Sequence, residues 1–200
     1  DVVTCKVNRN TMTFSGSTPI AKREEDFLVS SDPWFRPVDV KTGPDGALYI
    51  ADFYNRIIGH YEVPLNHPGR DRISGRIWKI TYKGNDTHKD VEVKDWSKAG
   101  LEELIPGLQS TQLTTRFAVA NRIVDVWKEK AIDPVKKLLT AASSQKAYIQ
   151  ALWILHRLNA LARAQLDEAL QHQDPVIKVH ALRILTEMDT LSSLHHDVIV

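Results

Sequence analysis

Two hundred residues supply enough chain for one large domain or two small ones, with a real core in either case. The composition, 42% hydrophobic and 26% charged, is that of an ordinary soluble protein. With 26 basic and 25 acidic side chains the net charge is +1, which gives no long-range field for drawing in nucleic acid.

No apolar run approaches the roughly 18 to 20 residues that a membrane span requires. The chain starts at Asp1 without Met and carries no signal-like segment, so a processed or excised piece is expected. Cys5 is the single cysteine, which excludes an internal disulfide and a Cys-x-x-Cys-His haem attachment. Its plain reading is an inert, buried thiol.

In chain order, residues 2–14 read as a hairpin. Val3, Cys5 and Val7 alternate with polar neighbours, Asn8-Arg9-Asn10 makes the turn, and Met12 to Phe14 returns. Residues 16–25 mix Gly, Pro, Ser and charges without periodicity and are expected to be a loop. Phe27-Leu28-Val29 is a short strand that Ser30-Ser31-Asp32-Pro33 ends.

Phe35 to His60 carries the strongest pattern in the chain. Val38 and Val40 alternate in a first strand, and Leu48, Tyr49, Ile50 and Ala51 form a second. Between them Pro44-Asp45-Gly46 supplies a preset φ, a carboxylate that can bond its own backbone, and a residue free to take φ > 0. After Ala51-Asp52 the chain leaves the strand through Phe53-Tyr54-Asn55-Arg56-Ile57. Residues 60–75 are then long and irregular, broken by Pro64, Pro68 and Gly69, and a loop of that length usually has a function or covers something. Gly75 to Tyr82 is an alternating strand.

Residues 84–100 are polar, and the composition change places a domain boundary there: a β part over 1–83, a linker over 84–100 and a helical part over 101–200. Asn85-Asp86-Thr87 is formally a glycosylation sequon, although ordinary linkers produce such triplets often by chance. From residue 100 the apolar period changes from 2 to 3.6. Ala120-Asn121-Arg122-Ile123-Val124, Ala151-Leu152-Trp153-Ile154-Leu155 and Ala181-Leu182-Arg183-Ile184-Leu185 recur at a spacing of about thirty residues. Amphipathic stretches at 135–141 and 164–170 lie between them. Asp133-Pro134 and Asp174-Pro175 each look like a helix start, Asp as N-cap and Pro at the first helical position. Two helices per repeat imply an α-solenoid resembling HEAT-like repeats. Trp127, Trp153 and the leucine stripe read as its core. The apolar Val198-Ile199-Val200 implies that the array continued, because a terminal repeat should be polar outside.

Pro37-Val38, Asp45-Gly46, Leu48-Tyr49-Ile50-Ala51-Asp52 and Asn55-Arg56-Ile57 follow one another as in an NHL-type propeller repeat. More narrowly, residues 27–84 are similar to the closing blade of large proteins of planctomycetes, verrucomicrobia and Bacteroidetes, usually called membrane-bound dehydrogenases. Members join a propeller like the glucose and sorbosone quinoprotein dehydrogenases to HEAT-like repeats, often followed by a cytochrome c domain. The resemblance implies an α+β chain: an incomplete, antiparallel, NHL-like β-propeller followed by the helical repeats. It also implies pyrroloquinoline quinone (PQQ), calcium, a sugar or alcohol substrate and an extracytoplasmic location. A propeller site lies on the central channel and is shared among blades, so the calcium ligands, the general base and most quinone contacts would lie upstream.

Candidates facing such a channel are Arg36, Asp39, Asp52, Tyr54, Asn55 and His60, with Arg70, Asp71, Arg72 and Arg76 from the loop. His60 is a candidate proton acceptor, and a histidine merely hydrogen-bonded at a strand exit is the competing reading. Asp52 is a candidate catalytic carboxylate, yet Asx side chains at such offsets commonly bond backbone amides and hold a turn. Arg36, Arg70, Arg72 and Arg76 can clamp an anionic cofactor carboxylate, and an Arg-Asp pair over 70–72 can equally lock the loop. His195-His196-Asp197 has metal-binding residue types, but adjacent helical residues point about 100° apart, and side chains simply turned to water are the competing reading. His172 and His180 have no carboxylate partner evident. No Gly-rich phosphate loop, zinc spacing or nucleophile elbow is present.

Two functional classes therefore stand: the C-terminal part of a quinoprotein dehydrogenase-like protein whose repeats dock a protein partner, or a scaffold without chemistry. In either case the chain by itself should not turn over substrate.

Overall fold

A computed structural model describes residues 1–16, 18–59, 61–84, 93–141 and 144–188. The chain separates into two compact units, Asp1–Val93 and Lys94–Val200, the first built of strands and the second of helices. It is an α+β chain with small antiparallel sheets. His60, the sequon at 85–87 and the His195-His196-Asp197 and Val198–Val200 stretches lie outside the described residues.

In the first unit the three-stranded sheet follows the sequence pattern. β5 (Pro37–Thr42), β6 (Leu48–Asp52) and β7 (Arg76–Ile80) pair antiparallel in that order, with Val40, Ile50 and Trp78 in register. Gly46 takes φ +77° in the connecting turn, and Asp45 Oδ1 accepts the Ala47 amide at 3.1 Å. Gly43 passes so close to Tyr49 that a Cβ there would meet the ring at 2.4 Å. Alternation along β6 puts Leu48, Ile50 and Asp52 on one face. There Ile50 forms a small core with Val7 and Phe35, joined by Cys5, Leu28 and Ile80. The partner strand is much less covered: in β5 only Pro37 is buried.

The N-terminal part departs from expectation. β1 (Lys6–Val7) pairs with β4 (Leu28–Val29), not with the strand after Asn8-Arg9-Asn10. β2 (Asn10–Ser15) instead pairs with β3 (Thr18–Arg23), which lies in the stretch expected to be a loop. Gly16 at φ +59° makes the tight reversal between the paired Ser15 and Thr18. Pro19 and the flanking charges obscured this strand, but in a two-stranded ribbon every position is an edge, where Pro is tolerated. Every side chain of β2 and β3 is exposed, so burial left no alternating imprint on the sequence.

In the second unit a 3₁₀ turn, Trp96–Lys98, precedes α1 (Leu101–Gly107) and α2 (Leu113–Arg122). Trp96 packs on the helical core and Ala99 is buried in it, so this end of the expected linker belongs to the helices. A π-type turn (Ile123–Trp127) and a 3₁₀ turn (Lys128–Ala131) lead into α3 (Ile132–Ala141). α4 (Gln145–Arg157), α5 (Arg163–Leu170) and α6 (Pro175–Thr186) follow. Asp174 caps α6 as the sequence implies, its Oδ1 accepting the Val176 amide at 2.8 Å. Asp133 does not cap: α3 starts one residue earlier at Ile132, and Pro134 falls inside its first turn. A first-turn Pro costs no hydrogen bond, which is why both placements are allowed. α4 ends on Asn159 at φ +52°, with Ala160 N–H bonding Leu155 C=O and Asn159 N–H bonding His156 C=O. That is the Schellman pattern with Asn in the glycine position.

Ala120, Ile123, Leu152, Leu155 and Leu185 are all buried in one core, and Leu182 packs against it half-buried. The thirty-residue spacing thus places its equivalent segments across the end of α2 and the π-type turn after it, on α4 and on α6, and α4 packs against both α2 and α6.

Candidate functional site

The polar motif after β6 closes on itself. Asp52 is 3% exposed, and its Oδ1 accepts the amides of Arg36 (2.8 Å) and Tyr54 (2.9 Å). Its Oδ2 accepts the Trp78 indole N–H at 3.0 Å. The first pair of bonds is an Asx turn extended across the sheet, and the last reaches from β6 to β7. Asn55 repeats the device: Oδ1 accepts the Ile57 amide at 3.2 Å, and Nδ2 donates to the Asp71 carbonyl at 2.6 Å. Tyr54, between them, takes φ +47°. Two Asx turns in succession bring the chain out of the sheet and fasten it to the far side of the loop.

Arg36 lies on the other end of this web. Its Nε donates to the Asn55 carbonyl (2.9 Å) and its Nη2 to that of Arg56 (3.2 Å). Its Nη1 donates to the carbonyls of Val2 and Val3 and lies 3.4 Å from Cys5 Sγ. The N-terminal turn, with Cys5 at φ +56°, therefore wraps the guanidinium. A guanidinium cannot lose its charge, so burial at 8% exposure requires such a cage of acceptors.

The loop has its own clamp. Arg70 Nε donates to Pro64 C=O (3.1 Å) and Nη1 to Ile57 C=O (3.4 Å), while Nη2 reaches the carbonyls of Val63 (2.6 Å) and Gly59. Arg72 Nη2 donates to the Leu65 carbonyl. Asp71 Oδ1 accepts the amides of Ile73 and Ser74 at 2.9 Å each. Hydrogen bonding from Ser74 and from the Ile73 amide holds this carboxyl below its ordinary range. The 70–72 triplet does lock the loop, but it does so on backbone groups. Arg76 stands apart, its guanidinium 3.4 Å from the centroid of the Tyr54 ring and 5.8 Å from that of Trp78.

The sequence candidates thus form two groups. Arg36, Asp52 and Asn55 tie the ends of β5 and β6, and Arg70 and Arg72 span the loop. His60 is outside the described residues. Asp39 lies on β5 with its carboxylate 3.3 Å from Lys41 Nζ. Among the described residues no group of three His, Cys, Asp or Glu side chains is placed to hold a metal ion.

An open depression of about 740 Å³ runs beside the clamp, lined by Trp34, Arg56, Ile57, Pro68, Arg70, Asp71, Ile73 and others. A second of about 430 Å³ adjoins it, lined by residues 66–68 and 70–73. No local pattern of residues announces this groove. In the folded unit Arg56 is an exposed cation between the buried Asn55 and the half-buried Ile57.

A family model described as a domain of unknown function, DUF7133, matches residues 2–84, which lie within the first unit. No curated protein and no solved structure matches the chain.

Proposed function

We propose that the chain is the C-terminal portion of a PQQ-dependent sugar or alcohol dehydrogenase-like protein, acting there as a closing propeller blade followed by HEAT-like docking repeats. The observation that carries the structural part of this reading is the use of the motif side chains. Arg36, Asp52 and Asn55 are buried and bonded to main chain or to an indole. Side chains so buried and so bonded hold a blade in shape, and their burial keeps them from meeting a substrate. Neither the arginine cages nor the described carboxylates fit a quinone with its calcium, so that chemistry would come from the rest of the propeller.

The order of sheet and helices supports the docking half of the proposal. α2, α4 and α6 bury equivalent alanines, as stacked repeats require for close approach. α2 also presents Leu113 and Phe117, four residues apart and both about half exposed, which suits a protein partner. Such a protein would work outside the cytoplasm. A second reading, a scaffold of blade and repeats with no enzymatic parent, rests on the same committed side chains.

The test is an assay of the purified chain with glucose or sorbosone, added PQQ, calcium and a dye acceptor. No turnover is expected; measurable turnover would sink the proposal that this chain contributes structure only.

A further inference from the structure

We infer that the groove beside the Arg70 clamp is a binding site for an acidic, partly apolar peptide segment, with Arg56 as the group that reads its carboxylate. The groove is preorganised. Arg70 holds four loop carbonyls, Asn55 holds a fifth, and Asp71 fixes the amides of Ile73 and Ser74. A surface whose loop is already ordered loses little entropy on binding. That rigidity also keeps Ile73 outward at 98% exposure, beside an apolar floor formed by Trp34, Ile57 and Pro68. An aliphatic side chain fully turned to solvent on a pinned loop is a ready contact for an apolar partner group.

Charge selects the partner. The two adjoining depressions carry Arg56, Arg70 and Arg72 against a single carboxylate, Asp71. Arg70 and Arg72 spend donors on loop carbonyls, and Asp71 spends Oδ1 on the amides of Ile73 and Ser74. The exposed Arg56 side chain donates no hydrogen bond to any described residue, while its carbonyl accepts from Arg36. Its guanidinium can therefore take a carboxylate bidentately, with an apolar neighbour of that carboxylate laid against Trp34 and Ile73. The two depressions share Pro68, Arg70, Asp71 and Ile73 and so form one continuous open surface, which suits an extended peptide. A nucleic acid would need several unengaged cations along the groove, and among the described residues lining it Arg56 is the one guanidinium that makes no hydrogen bond.

The test uses the whole 200-residue chain, ¹⁵N-labelled, titrated with a synthetic peptide alternating Glu and Leu. A second titration uses the same peptide with Gln for Glu, and a third uses single-stranded oligo-dT. We expect saturable shifts at the Trp34 indole and around Arg56 with the Glu peptide, and at least about tenfold weaker binding of the Gln peptide. Arg56→Gln should erase that preference, and the fold should survive because only its side chain changes. Ile73→Ser should weaken both peptides, which separates the apolar contact from the ionic one. Equal binding of Glu and Gln peptides, no shift at Trp34, an unchanged preference in Arg56→Gln, or tighter binding of oligo-dT would each overturn the inference.

Discussion

The carboxylate of Asp52 accepts the indole N–H of Trp78 at 3.0 Å, joining the end of β6 to the middle of β7. The same carboxylate holds the amides of Arg36 and Tyr54. Among the described residues the apolar cluster of the first unit has just three buried members, Val7, Phe35 and Ile50, so this unit leans heavily on polar connections.

Asp52→Ala should therefore cost the first unit about 2–4 kcal/mol, because three donors lose one shared acceptor. Asp52→Asn should cost less, since one amide oxygen can still serve the Arg36 and Tyr54 amides. Urea unfolding followed by the Trp78 indole resonance in ¹⁵N spectra measures both.

Arg70→Ala should release the loop, and Arg70→Lys should not restore it. A lysine is a single point donor and cannot reach Ile57, Gly59, Val63 and Pro64 together as the planar fork does. The expected outcome is faster amide exchange over residues 61–74 in both variants, with the pairing of β5 to β6 unchanged.

The turn between β5 and β6 should lose stability in acid. Lys79 Nζ lies 2.7 Å from Asp45 Oδ2, and the Tyr49 hydroxyl donates to the same oxygen at 2.9 Å. The lysine, the tyrosine hydroxyl and the Ala47 amide lower the Asp45 carboxyl to about 2 against the cost of its partial desolvation. Its folded value lies below its ordinary 3.8, so the unfolded chain takes up the proton first. The contribution is complete above about pH 4 and is lost as pH falls toward about 2. A ¹³C titration of the Asp45 carboxyl should show that midpoint, and Asp45→Asn should flatten the acid limb of the first unit's stability curve.

In the helical unit, Leu152→Ala should cost about 2–5 kcal/mol through the cavity it leaves. Leu152 is fully buried on α4, which packs against both α2 and α6. Leu152→Asp should unfold the unit, since an unpaired carboxylate there has no water and no partner. Circular dichroism at 222 nm checks both.

The parts of the fold that were legible are those where burial imposes a period. Ile50 and Ile80 announce the β5–β6–β7 sheet, and Ala151, Leu152 and Leu155 announce α4, because one face of each element is covered. β3 was illegible because nothing covers it: Thr18 to Arg23 carry no apolar face, and Gly16 alone marks the reversal. The pairing of β1 with β4 joins residues more than twenty apart, a choice that local pattern does not encode. At the site, Asx chemistry foretold that Asp52 and Asn55 could hold turns. The roles of Arg36 and Arg70 depend on which carbonyls the folded loop delivers to them, and those come from as far away as Val2.

Hydrogen exchange across the whole chain tests most directly the claim that the first unit is a polar-webbed blade suited to cover from neighbouring blades. We expect the amides of Leu48 to Asp52 to exchange faster than those of Ala151 to Leu155, and Asp52→Ala to widen the difference by accelerating only the former. Equal or greater protection over Leu48 to Asp52 in the unaltered chain would mean that the sheet is self-sufficient, and would contradict the closing-blade assignment.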